Sequence, residues 1–390
     1  MYGQSFRRRG IIAVQVAVSL IVIMGFAMLS VDVGVLYNSK TDLQRAADAA
    51  AMSGASAYLT DAALAKNESL LISLLHSRSQ QYSALNPTLR ESTQLELSDI
   101  LFGTHEYGHP ETALAMNGTR WNGLEVTVRR QSESVNGAVP LFFARVFGHE
   151  RADVTATARA AVDDRVAGYR FVVDGGFLPF TIHEDLYNDL VANGPDNFSY
   201  DASVISIGDN INEIRLFPWK WSDEDKALNN GQTLQDGNDA SGNFGTLNIG
   251  IGNQGTITLE DQILNGIDAA DMESEFGTSD LIFYDPIKGQ QTYQATGNPG
   301  LSTAVKDELD VRIGDVVGFF LHNDSYDNGS GATFVVTAIR FGRVMDVKLT
   351  GNPNDRSLVL QPVAYTDGYI IIDESAPSTG GQLGRIVLVK

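Results

Sequence analysis

The chain has 390 residues, with 28 basic and 48 acidic side chains, a net charge of −20 and no cysteine. A single hydrophobic core stops growing at roughly 250–300 residues, so this length calls for an anchor plus at least two folded units. The missing cysteine excludes a disulfide framework, a thiolate zinc site and a catalytic thiol, and the acidic balance excludes nucleic acid as a partner, since phosphate binding draws on clustered Lys and Arg that occur only in the first ten residues.

Arg7, Arg8 and Arg9 lead into a run without charge from Ile11 to Val31. At about 1.5 Å per residue the run spans roughly 31 Å as a helix, enough to cross a bilayer core. It is longer than the apolar core of a secretory signal peptide, which measures about 7–15 residues, so the expectation is a retained single-pass membrane helix. The positive-inside rule keeps the arginines cytoplasmic and sends everything after Val31 outward. The exported part then holds 25 basic and 48 acidic side chains, a charge of −23. The Arg9-Gly10-Ile11 junction has the order of a prepilin-peptidase site, which would place a cut after Gly10. The fifth residue after such a cut is usually Glu. Here it is Gln15.

From Val31 to Leu59 the sequence has strong helix formers and no proline, so the helix is expected to continue as a stalk. Its small residues, among them Ala46, Ala47, Ala50, Ala51, Gly54 and Ala57, permit close approach of another helix. Asp32 marks the outer edge of the bilayer span, with partner recognition as the alternative reading, and Gln44 and Asp48 share a helix face. Three segments in order, Gly10–Val14, Val31–Tyr37 and Leu43–Ala51, resemble the N-terminal signature of TadG-like (TadE/G-like) proteins of the Tad, or tight adherence, pilus assembly system. The resemblance implies a membrane-anchored, envelope-facing assembly role without catalysis, and it says little about residues 166 to 390.

Residues 61 to 85 read as a second helix, a hairpin partner for the first, stopping at Asn86-Pro87. Strands are expected at Thr93–Gly103, Asn122–Arg130 and Ala152–Val162, with Val139–Gly148 as a short helix packed across the sheet. From Gly168 onward short strands alternate with Gly, Asn and Asp turns and no long helix stands out. Among these, Val311–Asn323, Ala332–Gly351 and Gly368–Ser375 read as strands.

Several motifs invite a chemical reading. His105-Glu106-Tyr107-Gly108-His109 matches H-E-x-x-H, which binds zinc only when helical; Gly108 and Pro110 favour a loop. Asp201-Ala202-Ser203-Val204-Ile205 falls short of a D-x-S-x-S metal site, with Ile205 in the third ligand position. The acidic stretches Asp223–Asp225, Asp236–Asp239 and Asn323–Gly329 do not follow the calcium-loop spacing. Gly242–Gly245 and Gly250–Asn253 lack the Lys and Ser or Thr of a phosphate loop. Phe217-Pro218-Trp219-Lys220-Trp221 is either core or an aromatic platform.

The expectation is therefore an α+β protein. A basic leader (1–10) precedes a transmembrane helix (11–34) continuing into a helical stalk or hairpin (35–86), a small α+β domain (90–165) and a β-rich C-terminal sandwich or barrel (168–390). No catalytic, metal or cofactor residue is assigned. Candidate processing residues are Gly10 and Ile11. Candidate helix-association residues are Asp32, Gly34, Gln44, Ala47, Asp48, Ala51 and Gly54. The resemblance implies other pilus-assembly or secretion proteins as membrane partners, with the bulk of the chain outside the cytoplasmic membrane. The lipid bilayer is the other partner, and a homo-oligomer stays open. The alternatives are a pilin-like subunit polymerising after cleavage at Gly10 and a membrane-tethered zinc hydrolase resting on residues 105–109 alone.

Overall fold

One helix of 48 residues, α1 (Arg8–Ala55), leads the computed structural model of the chain. The structure describes residues 8–390 except 108, 110–111, 117, 119, 173–175, 200–207, 218–243, 251–255, 327–330, 353–354 and 390. Two compact units form. The first holds the chain through Ser56, Ile72–Ala161 and the last residues from Val387. The second holds Ala57–Leu71 and Val162–Ile386.

α1 carries the apolar run and the expected stalk without interruption, as the absence of proline permits. The expected single helix at 61–85 divides instead into α2 (Asp61–Leu64) and α3 (Glu68–Ala84). Lys66 between them takes a left-handed backbone, φ 54°, which no helix interior tolerates. α3 stops ahead of Pro87, because the residue before proline is pushed out of the helical region.

The sheet of the first unit contains β1 (Ile100–Gly103), β2 (Gly123–Arg130) and β5 (Val154–Asp163), in the order β1-β2-β5 with the chain's last strand, Arg385–Val389, beyond β5. The hairpin β3 (Val139–Pro140) and β4 (Arg151–Ala152) stands apart from it. Only the end of the strand expected at 93–103 forms, because Leu97–Asp99 is a 3-10 turn and Asp99 is drawn to Arg129 at 2.6 Å. β2 and β5 pair antiparallel, placing Leu124 opposite Ala160, Val126 opposite Ala158 and Val128 opposite Ala156. These six side chains are buried on one face. The other face pairs polar groups across the strands, with Glu125 to Arg159 at 2.6 Å and Thr127 to Thr157 at 3.0 Å.

The second unit runs β6 (Val166–Arg170), β7 (Phe177–His183), α4 (Glu184–Asn193), β8 (Ile214–Leu216), β9 (Phe244–Leu247), α5 (Thr256–Asn265) and α6 (Ala269–Phe276). It continues through β10 (Asp280–Ile282), β11 (Tyr284–Asp285), β12 (Gly289–Gln290), β13 (Tyr293–Pro299) and α7 (Lys306–Val311). It ends with β14 (Val316–Tyr326), β15 (Ala332–Lys348), β16 (Ser357–Pro362) and β17 (Ile370–Ile372). Seven strands form one sheet in the order β13-β9-β7-β14-β15-β16-β8, and β13 pairs β15 as well. β13, β9, β7, β14 and β15 therefore close on themselves, while the far half of the long β15 carries β16 and β8 outward. Alternation along β14 sends Val317, Phe319 and Leu321 into a core with Leu186 and Leu190 of α4, Ile263 of α5 and Leu309 of α7. Phe320 enters a second core with Tyr169, Leu281 and Ile370 from the three-stranded sheet β10-β6-β17.

Helices α4 to α7 lie where the sequence reads as strands and turns. They are too short for a clear 3.6-residue pattern, and their termini carry the signal instead. The His183 side chain caps α4 by accepting from the Asp185 amide, and Asp268 with Asp271 forms a capping box on α6.

His322 of β14 is buried, with Nδ1 2.9 Å from the Thr181 hydroxyl and its ring 5.4 Å from that of His183. Burial, with the second imidazole beside it, pushes its pKa down to about 3. The folded state thus holds His322 neutral, while the unfolded chain takes up a proton near pH 6.5. Its stabilising contribution is complete above that pH and falls as pH drops toward 3. Between pH 7 and pH 5 the loss is about 2 kcal/mol. Thermal unfolding of wild type and His322→Gln at both pH values checks this. The variant should lose less stability on acidification than the wild type, and equal losses would contradict the assignment.

Candidate functional site

From Ile12 to Ala27 every residue of α1 is exposed, including Ile21 and Phe26. This is the one helix among the described residues long and apolar enough to cross a membrane. Burial begins where the apolar run ends. Asp32, Ser39, Leu43, Ala46, Ala47, Ala50, Ala51, Gly54 and Ala55 are buried at helical spacing, forming a single stripe on a helix that packs against β2 and the turn at Ala144–Phe147.

Asp32 is 3% exposed. Its carboxylate accepts three consecutive backbone amides: Phe142 to Oδ1 at 2.8 Å, Phe143 to Oδ2 at 3.0 Å and Ala144 to Oδ2 at 2.6 Å. Residues 141–150 are the tip of the β3–β4 hairpin, closed by the Leu141 amide donating to the Glu150 carbonyl at 2.9 Å. Ala144–Phe147 forms a 3-10 turn that Gly148 ends in the left-handed region at φ 86°. The first amides of such a turn have no partner within it, and a carboxylate is their strongest acceptor. The helix expected to pack across the sheet here is thus a turn held at the exit of α1, with Phe142, Val146 and Phe147 facing outward.

Above Asp32 the stalk fastens to β5. Lys40 donates to the Thr155 carbonyl, and Gln44, one turn on, donates to Thr157 O at 3.2 Å and to Asp48 Oδ1 at 2.8 Å. Ala47 and Ala51 are buried against the chain's own sheet. Gly54 leaves no room for a side chain, since a Cβ would stand 2.1 Å from Ser79 Oγ of α3 and 2.2 Å from Leu124 Cδ2 of β2. Gly34 has open space around it. Of the residues expected at helix associations, then, Asp32, Gln44, Ala47, Asp48, Ala51 and Gly54 meet groups of their own unit, and Gly34 faces outward. Gly10 and Ile11 lie in the first turns of α1.

The described residues of the run 105–109, which are 105–107 and 109, are not helical. The His105 backbone amide donates to Asn122 Oδ1 at 2.7 Å, and Asn122 Nδ2 donates to the Tyr107 hydroxyl at 3.1 Å. Among the described residues no three His, Asp or Glu side chains gather where they would hold one ion. Phe217 is buried with the Arg215 guanidinium over its ring at 5.2 Å. The rest of that aromatic cluster, residues 201–205, both acidic stretches between 223 and 239, and residues 251–253 lie outside the described residues. The tip at 142–147 is the feature that sequence reading missed. Its signal was available: apolar residues ending in Gly148 between two short strand segments, too brief for a helix.

Two family models match this chain. The Flp pilus-assembly TadE/G-like family matches residues 12–57, and the Tad-like Flp pilus-assembly family matches residues 37–160. No curated protein and no solved structure gives a significant match. The matches overlap on the stalk and end in β5, so they cover nearly all of α1, the Asp32 contact, strands β1 and β2 and most of β5. The resemblance to TadG-like proteins is borne out over that region.

Replacing Asp32 with Ala leaves three amides without their acceptor, at a cost of about 1–3 kcal/mol for the tip. Hydrogen exchange should then accelerate at Phe142, Phe143 and Ala144 while Val126 and Val128 stay protected. Unchanged exchange at all five would show that the carboxylate does not hold the tip. Gly54→Val overpacks the junction of α1, α3 and β2 and should destabilise the first unit by about 1–3 kcal/mol, whereas Gly34→Ala should not destabilise it. Thermal unfolding in detergent compares the two.

Proposed function

We propose that this Tad-family protein is a single-pass anchor of the pilus assembly apparatus, with its N-terminus in the cytoplasm and its folded units outside the cytoplasmic membrane. It works without catalysis. The observation that carries this reading is the coincidence of the two family matches with the architecture they cover. The matched segment starts in the fully exposed apolar half of α1 and ends in the sheet to which the other half is fastened.

Tad membership implies interaction with other pilus-assembly components. The exposed face of α1 around Gly34 is the surface we assign to helix association, because small residues let helices approach closely in lipid and, among the described residues, nothing stands within 4 Å of where a Gly34 side chain would begin. The alanine stripe further along is occupied by the chain's own sheet, so it serves the fold first. The filament-subunit reading keeps one specific support, the Arg9-Gly10-Ile11 junction.

Gly34→Leu should leave thermal unfolding unchanged while lowering the amount of other pilus-assembly proteins recovered with this chain from mild detergent extracts. Unaltered recovery would remove Gly34 from the association surface. Intact mass from native membranes separates the two readings: a chain starting at Met1 supports a fixed anchor, and one starting at Ile11 supports the filament subunit.

A further inference from the structure

Phe142, Val146 and Phe147 are 61%, 77% and 79% exposed, three large apolar side chains at one hairpin tip. Scattered apolar residues on a surface need no explanation. These three are placed by Asp32, the first charged residue after the apolar run. By hydrogen-bonding the amides of Phe142, Phe143 and Ala144, Asp32 fixes the height of the tip along α1 at the bilayer boundary. Between Ile12 and Val31 one residue, Met28, is half-buried while the others are exposed. Met28 precedes Asp32 by one helical turn, about 6 Å toward the bilayer centre. The turn at Ala144–Phe147 packs on α1, so the tip lies against the helix where the apolar run ends at Asp32.

We infer that the tip of the β3–β4 hairpin is a second membrane-embedded element, with Phe142, Val146 and Phe147 inserted among the headgroups and upper acyl chains of the outer leaflet that α1 crosses. Interfacial segments bury apolar side chains roughly 5–10 Å deep while their polar groups stay in water, and aromatic residues favour that layer. The tip meets both conditions. The amides of Phe142, Phe143 and Ala144 are satisfied by Asp32 and those of Val146 and Gly148 by carbonyls of the turn, removing the cost of taking these groups out of water. Arg145, His149 and Glu150 beside the apolar residues are exposed and able to stay at the headgroups. The occupant is lipid because the tip is continuous with the membrane-crossing surface of α1. The consequence is a two-point attachment that sets the tilt of the first unit on the membrane, which a single helix leaves free to swivel.

This inference rests on α1 spanning the bilayer, and the test separates the two. The natural absence of cysteine permits single-cysteine variants of the full chain in lipid nanodiscs, each carrying an environment-sensitive fluorophore. Phe147→Cys and Val146→Cys report the tip, and Phe26→Cys reports the helix. Leu101→Cys is the dry-land control. Leu101 is exposed in β1 opposite Glu125, beside the Leu124 that faces Gly54, and Gly54 stands about 33 Å along the helix from Asp32.

Lipids with a nitroxide near the top of the acyl chain should quench the tip labels severalfold more than the control, with blue-shifted emission. Nitroxide at the chain end should quench the tip less than the shallow one does. Quenching at Phe26 with none at the tip would overturn the inference and leave the anchor standing. Loss of quenching at both would overturn the anchor. A tip label shielded from water yet unquenched by lipid would assign the tip to a protein partner and overturn the lipid assignment.

Discussion

A carboxylate at the end of a long apolar run must find donors or remain in water, and Asp32 finds three backbone amides within its own chain. That contact joins residue 32 to residues 142–144, so the start of the first unit and the hairpin near its end are fixed to each other. A carboxylate accepting several backbone N–H groups is among the stronger uncharged-donor arrangements a protein makes, and it does so here at the point where the helix leaves its apolar run. The sheet, the stalk and the hairpin tip take their positions along α1 from this point and from the stripe of small residues beyond it.

The stripe works by complementarity of size. Alanines and Gly54 on α1 pack against β2, which carries the buried Leu124, Val126 and Val128, and buried alanines alternate on the paired strand β5, so small side chains let the helix lie close against the sheet. The acidic composition has a use beyond solubility. In the second unit Glu213 is buried and accepts the amides of Asn197 and Phe198 at 2.9 and 2.8 Å. Asp196 accepts those of Asp209 and Asn210, each at 2.9 Å, and Asp164 accepts the Gly381 amide at 3.0 Å. Carboxylates holding loop amides recur across both units, which is how a chain with many long turns and no disulfide keeps those turns in place.

Much of this was legible from residues. The helix from the arginines through the stalk, the strands β2 and β5 with their alternation, the long β15 and the β17 run of three isoleucines all follow from period and composition. What was not legible depends on long-range partners. The strand expected at residues 93–103 gives way to a 3-10 turn because Arg129, far along the chain, claims Asp99. The apolar segment around Phe142 reads as core because hydrophobicity does not reveal that its amides are held by a carboxylate more than a hundred residues earlier. The small-residue stripe reads as a surface for another helix, and at Gly54 it meets α3, but along its length the chain's own strand β2 also packs on it. Short helices such as α4 and α6 are visible only through their caps, and closure of the five-stranded circuit rests on β15 pairing with β13, which no local pattern announces.

The central claim is that α1 crosses the membrane up to Asp32 and that the first unit begins there on the outer side. Single cysteines at Val18, Phe26, Val33 and Tyr37, probed in intact cells with a membrane-impermeant maleimide, test it most directly. The account predicts no labelling at Val18 and Phe26 and strong labelling at Tyr37, with the change falling beside Asp32. Labelling at Phe26, or a Tyr37 that reacts only after the cytoplasm is opened, would contradict it.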